Sequence, residues 1–208
     1  MTEPLPKLAA PLLPLLPRLE LDPPAVAAIA GAATAAEGIA KLEAAGLRNE
    51  AARLAAHALP KREAVWWGCM CARAVPDPAL TPADAAALQA AEAWVRKPGD
   101  DGLRRAAMEA AQRTGFRTPE AWAAVGAFWS GGSMAPAGQP EVPPPDHLTG
   151  VAISGGVVLA AVRIRPERAQ DRLARFLASA RDIAAGGAGR IAPEEDSQPV
   201  GAKTAEVG

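Results

Sequence analysis

Alanine fills 52 of the 208 positions of this chain, and that fact restricts the fold more than any other. Ala is the strongest helix former and a weak strand former. Leu, Ile, Val and Phe together supply only 40 residues, so a core must come from close backbone approach as much as from large side chains. Alternating β-branched runs are absent except around Val157 and Val158, which removes the usual signal for sheet. The expectation is an all-α, multihelical bundle of about eight to ten short helices.

Proline and glycine punctuate the helices. Asp22-Pro23-Pro24, Thr34, Thr81-Pro82, Asp100 or Asp101, Thr118-Pro119, Asp146 and Pro166 are helix starts in which a short polar side chain or a proline opens the first turn. Gly31, Gly46, Gly115 and Gly186 read as stops. Between them, Leu47 to Leu59 carries one apolar stripe, and Pro60 to Val75, with Trp66, Trp67 and Met70, is heavy enough to sit at the centre. Residues 1–22, rich in Pro and Leu without helical period, read as an extended arm with its leucines lying on the domain surface. Residues 23–185 form the helical domain, and 186–208 read as a disordered tail. Residues 130–145 hold three glycines and five prolines and predict a linker joining two helical halves. Leu47-Arg48 followed by Pro60, and Leu103-Arg104 followed by Pro119, suggest a weak helix-pair repeat.

Charge and motif content remove several function classes. A formal net charge of −1, from 22 basic and 23 acidic residues, leaves no general footprint for nucleic acid. Prolines at 4, 6, 11, 14 and 17 interrupt any signal helix, and the one adjacent arginine pair is Arg104-Arg105, so a cytoplasmic location is expected. Leu148 to Val162 is uncharged but shorter than the roughly 20 residues a membrane span needs, and its glycines suit a buried helix. Cys69 and Cys71, two apart on a helix, point about 200° apart and cannot readily bridge each other; with His57 and His147 they lack metal-ligand spacing. They are expected as packed thiols, with no cofactor and no metal. No nucleophile elbow, phosphate-binding lysine loop, zinc helix or dinucleotide fingerprint occurs, and no residue is put forward as catalytic.

The stretch Leu59-Pro60-Lys61-Arg62-Glu63-Ala64-Val65-Trp66-Trp67 breaks a local rule. Lys61 and Arg62 fall in a helix first turn, where the macrodipole disfavours cations by about 0.3–1 kcal/mol each. Either they reach the C-terminal carbonyls of the preceding helix, or they await an acidic partner. Trp66 and Trp67 point about 100° apart, so both are buried only in a helix contacted on two sides. Otherwise one is exposed near Arg62 or Arg73, the kind of aromatic and Arg cluster that anchors interfaces. Candidate partner-binding residues are therefore Lys61, Arg62, Glu63, Trp66, Trp67 and Arg73. Ser130-Gly131-Gly132-Ser133 is a loop candidate for cradling an anion, though no lysine follows it.

The same stretch, continued by Trp67-Gly68-Cys69 and Cys71-Ala72-Arg73, together with Phe128-Trp129-Ser130-Gly131-Gly132-Ser133 and Pro143-Pro144-Pro145-Asp146-His147-Leu148, resembles the signature of an uncharacterised bacterial family associated with type VI secretion gene clusters. The resemblance spans residues 35–185. It implies a helical domain and a secretion context, and it carries no catalytic residue. Members labelled as twin-arginine exported differ from this chain, which lacks that signal.

These readings favour a non-enzymatic accessory interaction protein, adaptor or chaperone-like, whose partner is a secretion component or effector. Two alternatives remain: a small helical enzyme or ligand-binding protein with a pocket between Trp-bearing helices, and an immunity-type inhibitor.

Overall fold

The computed structural model describes residues 6–136 and 138–194. Among these residues the secondary structure is nine α-helices and three short 3-10 turns, with no strand beyond one isolated bridge between Pro11 and Thr34. The helices are α1 (Pro23–Ala28), α2 (Ala35–Ala44), α3 (Arg48–Ala58), α4 (Lys61–Ala74), α5 (Pro82–Arg96), α6 (Asp101–Arg113), α7 (Pro119–Phe128), α8 (Leu148–Val162) and α9 (Ala169–Ala184). The all-α, multihelical expectation holds.

Most starts follow local capping chemistry. The side chains of Asp22, Thr34, Asp100 and Thr118 each accept from a backbone N–H three residues on. Thr81 and Asp84 form a reciprocal capping box. Asp84 also accepts from the Thr118 hydroxyl at 2.9 Å, tying the starts of α5 and α7 together. Burial would raise this carboxyl, but the Thr81 and Thr118 hydrogen bonds hold it below its ordinary value. Gly46, at φ +77°, ends α2 as expected. Two starts differ. Asp146 does not cap α8, whose N-cap is His147, because its carboxylate turns to Lys61 instead. Pro166 opens a 3-10 turn, and α9 begins at Ala169.

Two helices share the centre. α4 buries nine of its fourteen residues and packs on α5, α7, α8 and α9. α7 is more enclosed still, with nine of ten buried among α4, α5, α6 and α8. The proposed helix-pair repeat is not reproduced: α6 and α7 pack closely on each other, whereas α3 and α4 barely touch. α8 is a core helix, packed on α3, α4, α7 and α9. Its Gly150 lies against His57 and its Gly156 against Trp122, while Gly155 faces open space. No single helix among the described residues is long and apolar enough to cross a membrane.

Three low-complexity stretches are more ordered than composition suggests. The arm is not an extended surface strand: it turns at Pro6–Leu8 and Leu16–Arg18 and drives Leu8, Leu12 and Leu19 into the core. An Ala-rich bundle is short of bulky apolar volume, and these leucines supply it. The tail is docked as far as Glu194, whose backbone N–H donates to the Ala74 carbonyl at 2.9 Å and whose carboxylate takes Arg172, with Arg168 and Arg175 beside it. Residues 195–208 lie outside the described residues. The segment 130–145 is not a free linker between two halves, because α7 and α8 on either side of it pack closely on each other. Ser133 Oγ accepts from the N–H groups of Ala135 and Val142, and Met134 N–H donates to the Val142 carbonyl.

Candidate functional site

α4 begins immediately after Leu59 and Pro60, both in extended backbone, and no side chain caps its first turn. Lys61 and Arg62 therefore sit in the first turn, at the positive end of a helix. The fold resolves this conflict in an unforeseen way. Arg62 Nε donates at 2.8 Å to the carbonyl of Val95, in the last turn of α5 rather than of the preceding α3. The positive end of one helix and the negative end of another thus meet, and Arg62 bridges them. Lys61 finds a carboxylate within the chain, Asp146 at 3.3 Å, whose side chain is 84% exposed. Glu63 accepts from Lys7 at 2.9 Å. Burial works against ionisation of Glu63, yet the Lys7 hydrogen bond leaves its carboxyl below the ordinary value.

The other residues of this stretch are engaged internally. Trp67 is fully buried and its indole N–H donates to the Phe176 carbonyl at 2.8 Å, which closes it to any partner. Trp66 is half-buried and donates to the Ala188 carbonyl at 2.8 Å. Arg73 makes a bidentate pair with Glu92, at 2.6 and 2.9 Å, that fastens α4 to α5. The expected Trp and Arg anchor cluster is therefore divided: Trp67 and Arg73 hold the fold, while Lys61 and Arg62 border open space.

That space is a cleft of about 420 Å³, and its far wall is the second sequence candidate. Ser130, Gly131 and Gly132 face Lys61 and Arg62 across it, with Trp94, Pro98, Gly99, Asp100, Asp101 and Arg104 completing the lining. Ser133 is the exception, pointing its hydroxyl into its own loop. Arg104 sets the loop's position: it donates to the carbonyls of Phe128 and Ser133, both at 2.8 Å, and lies 4.6 Å above the Phe128 ring. Gly132 has φ +63°, and a Cβ there would come within 2.8 Å of the Arg104 guanidinium. Only glycine lets the chain turn this close to a buried arginine.

The acids of the cleft both accept hydrogen bonds from within the fold. Asp100 caps α6 by accepting from the Leu103 N–H at 3.0 Å. Asp101 accepts from Arg105 and Arg104, which hold its carboxyl below the ordinary value. The backbone N–H groups of Gly131 and Gly132, by contrast, have no acceptor among the described residues. Trp94 is also a lining residue, but its indole N–H is buried away from the cleft and has no acceptor among the described residues. The arrangement can therefore donate hydrogen bonds and offer positive charge from Lys61 and Arg62.

The groups able to do covalent or acid–base chemistry lie elsewhere. Cys69 and Cys71 are fully buried, and burial pushes both thiols up, so they are protonated and shielded. Burial, with His147 nearby, lowers His57 to about 4, so at neutral pH its ring is uncharged. No group of three or more potential metal ligands occurs among the described residues.

Sequence reasoning missed the buried charges. Arg163 pairs with Glu120 and donates to the Val75 carbonyl at 2.9 Å. Arg172 donates to the carbonyls of Ala161, Arg163 and Arg165 while paired with Glu194. Placement hinted at Arg163, a cation just past the end of an uncharged helix, and at Glu120, an acid in a first turn. Nothing local identified their partners.

The helical domain that carries this cleft is matched by a family profile. The chain belongs to a family of unknown function, DUF6931, whose profile covers residues 38–184. It takes in α3 to α9 and most of α2 and leaves out the arm. No curated protein and no solved structure matches the chain.

Proposed function

We propose that this protein is a non-enzymatic accessory protein, an adaptor or chaperone-like component, that docks a protein partner at the cleft between Lys61–Arg62 and the Ser130–Gly132 loop. The observation carrying this reading is convergence. Two stretches singled out for interaction chemistry, distant in sequence, border one cleft, while the thiols and the imidazole that could serve catalysis are buried or shifted out of use. A bacterial type VI secretion context is part of the proposal and rests on the sequence resemblance alone. The cleft also has the size of a small-molecule site, which supports a ligand-binding helical protein as the second reading.

The buried, protonated native thiols make a clean test available. A Ser130→Cys variant carries a reactive thiol in the cleft, to which a photo-crosslinker is attached; Gln112→Cys, on the exposed face of α6, serves as the control. In native-host extract the Ser130 probe is expected to yield a discrete protein adduct that unlabelled wild-type protein competes away and the control does not form. Absence of any such adduct, or equal labelling from both positions, would overturn the docking reading in favour of the small-molecule one.

A further inference from the structure

We infer that the cleft is an oxyanion site, and that what it takes is a carboxylate-rich segment of the partner protein; the second half of this statement rests on the docking reading above. The donors set the chemistry. Lys61 holds its carboxylate loosely at 3.3 Å, with that acid mostly in water. Arg62 spends its Nε on the Val95 carbonyl, and among the described residues its other partner is Glu63 at 3.6 Å. The guanidinium is thus anchored at one edge and keeps N–H groups for a ligand. Opposite them stand the unaccepted amides of Gly131 and Gly132.

Asp100 and Asp101, the two acids in the lining, are tied into the fold, Asp100 by the Leu103 N–H and Asp101 by Arg104 and Arg105. The carbonyls of Val95, Phe128 and Ser133 around the cleft each already accept from an arginine. An oxyanion meets donors from both walls and the start of the fourteen-residue α4. This agrees with a chain whose net charge is only −1: the attraction is a local arrangement of donors and needs no basic surface.

Carboxylate is favoured over nucleotide by the aromatic content. Trp94 is 2% exposed, so its ring offers no face on which a base could stack. An extended acidic peptide needs no such face, and it presents several oxyanions along a cleft that already offers donors from two walls.

The experiment is a binding titration on the full chain by fluorescence anisotropy, with a labelled Glu/Asp-rich decapeptide, a Lys-rich decapeptide of equal length, and inorganic phosphate as competitor. The acidic peptide is expected to bind, phosphate to displace it weakly, and the basic peptide not to bind. K61E/R62E is expected to weaken the acidic peptide by about tenfold or more. R113E/R117E, the same charge change at the far end of α6, is expected to leave affinity within about twofold once salt screens long-range attraction. Because Arg62 also caps α5, Lys61→Gln is a second variant whose lost contact is the exposed one to Asp146; it is expected to weaken binding about two- to fivefold at an unchanged melting temperature.

Equal losses from the two double variants would overturn the inference, since binding would then be unspecific charge attraction. Phosphate binding without peptide binding would overturn the acidic-segment assignment. A Ser130 crosslink to a partner whose capture is unaffected by the acidic peptide or by K61E/R62E would also overturn it, leaving the docking reading in place. Peptide binding without any crosslinked protein would instead remove the docking reading.

Discussion

The two ends of α4 use the same side-chain chemistry to opposite effect. At its C-terminal end Arg163 lies under Val75, donating to that carbonyl and to Glu120, and Glu194 closes the Ala74 carbonyl from outside. Arg163 and Glu120 are nearly inaccessible to solvent, and the capacity of both groups is used. At the N-terminal end Lys61 and Arg62 are held by one long contact and one carbonyl and border an open cleft. At these two ends burial, rather than residue type, separates the sealed arginine from the open one. Once desolvated, a charge must be matched completely, because an unmatched buried charge costs several kcal/mol. A charge in water can stay partly matched and so remain available.

The sharpest way to break the comparison is to remove one partner at the sealed end. Glu120→Ala leaves Arg163 buried with its principal counter-charge gone and should cost about 3–5 kcal/mol in chemical denaturation. The double variant Glu120→Leu with Arg163→Met is expected to recover most of that loss, because a matched apolar pair carries no desolvation penalty. Failure to recover would mean that the Val75 carbonyl, rather than the charge, is what the arginine serves.

An effect of about 1–3 kcal/mol is expected from Gly132→Ala at the open end, since φ +63° strains an L-residue and the new Cβ meets Arg104. Thermal melting measures it. A wild-type melting temperature would show that the loop moves aside freely and that Arg104 does not set the cleft wall.

Acid should act through His57 before it acts on the carboxylates. The folded-state value is about 4 against an ordinary 6.5, so between those pH values the unfolded chain binds more protons and stability falls as pH falls. The loss should be about 1–2 kcal/mol after allowing for the ring's partial exposure. Glu63, Asp84, Asp101 and Glu194, all held below their ordinary values, contribute stability that is lost only at lower pH. Replacing His57 with Gln should flatten the stability profile between pH 6.5 and about 4 and leave the acid limb unchanged. A slope that persists would assign it to another group.

The smallest stability change should come from K61E/R62E. Loss of the Val95 cap and the Asp146 contact costs about 1 kcal/mol, and acidic residues in the first turn of α4 return about 0.3–1 kcal/mol each. The net shift should lie within about 1 kcal/mol of zero by thermal melting, in contrast to the large loss at the sealed end. A drop comparable with that of Glu120→Ala would make this end structural as well.

Much of the helical scaffold was legible because its chemistry is local. Asp22, Thr34, Thr81, Asp100 and Thr118 cap helices through bonds spanning three residues, and such bonds can be read from spacing. Asp146 shows the limit. It has the position and the side chain of a cap, yet it pairs with Lys61, which only the approach of α8 to the start of α4 brings near. The cleft was half legible: both walls were identified, one by a broken electrostatic rule at Lys61 and Arg62 and the other by paired glycines. That they face each other was not.

Alanine content, proline starts and glycine stops determined by themselves that the chain is helical and roughly where each helix begins, since backbone entropy and capping act within a turn or two. The tertiary structure alone decided the rest. It sent Leu8, Leu12 and Leu19 of an apparently extended arm into the core, docked the tail through Glu194, buried Arg163 on Glu120, and turned Arg62 to the end of α5 rather than α3. Each of these depends on which surfaces are removed from water together, and desolvation is a property of the packed whole that no window of sequence contains.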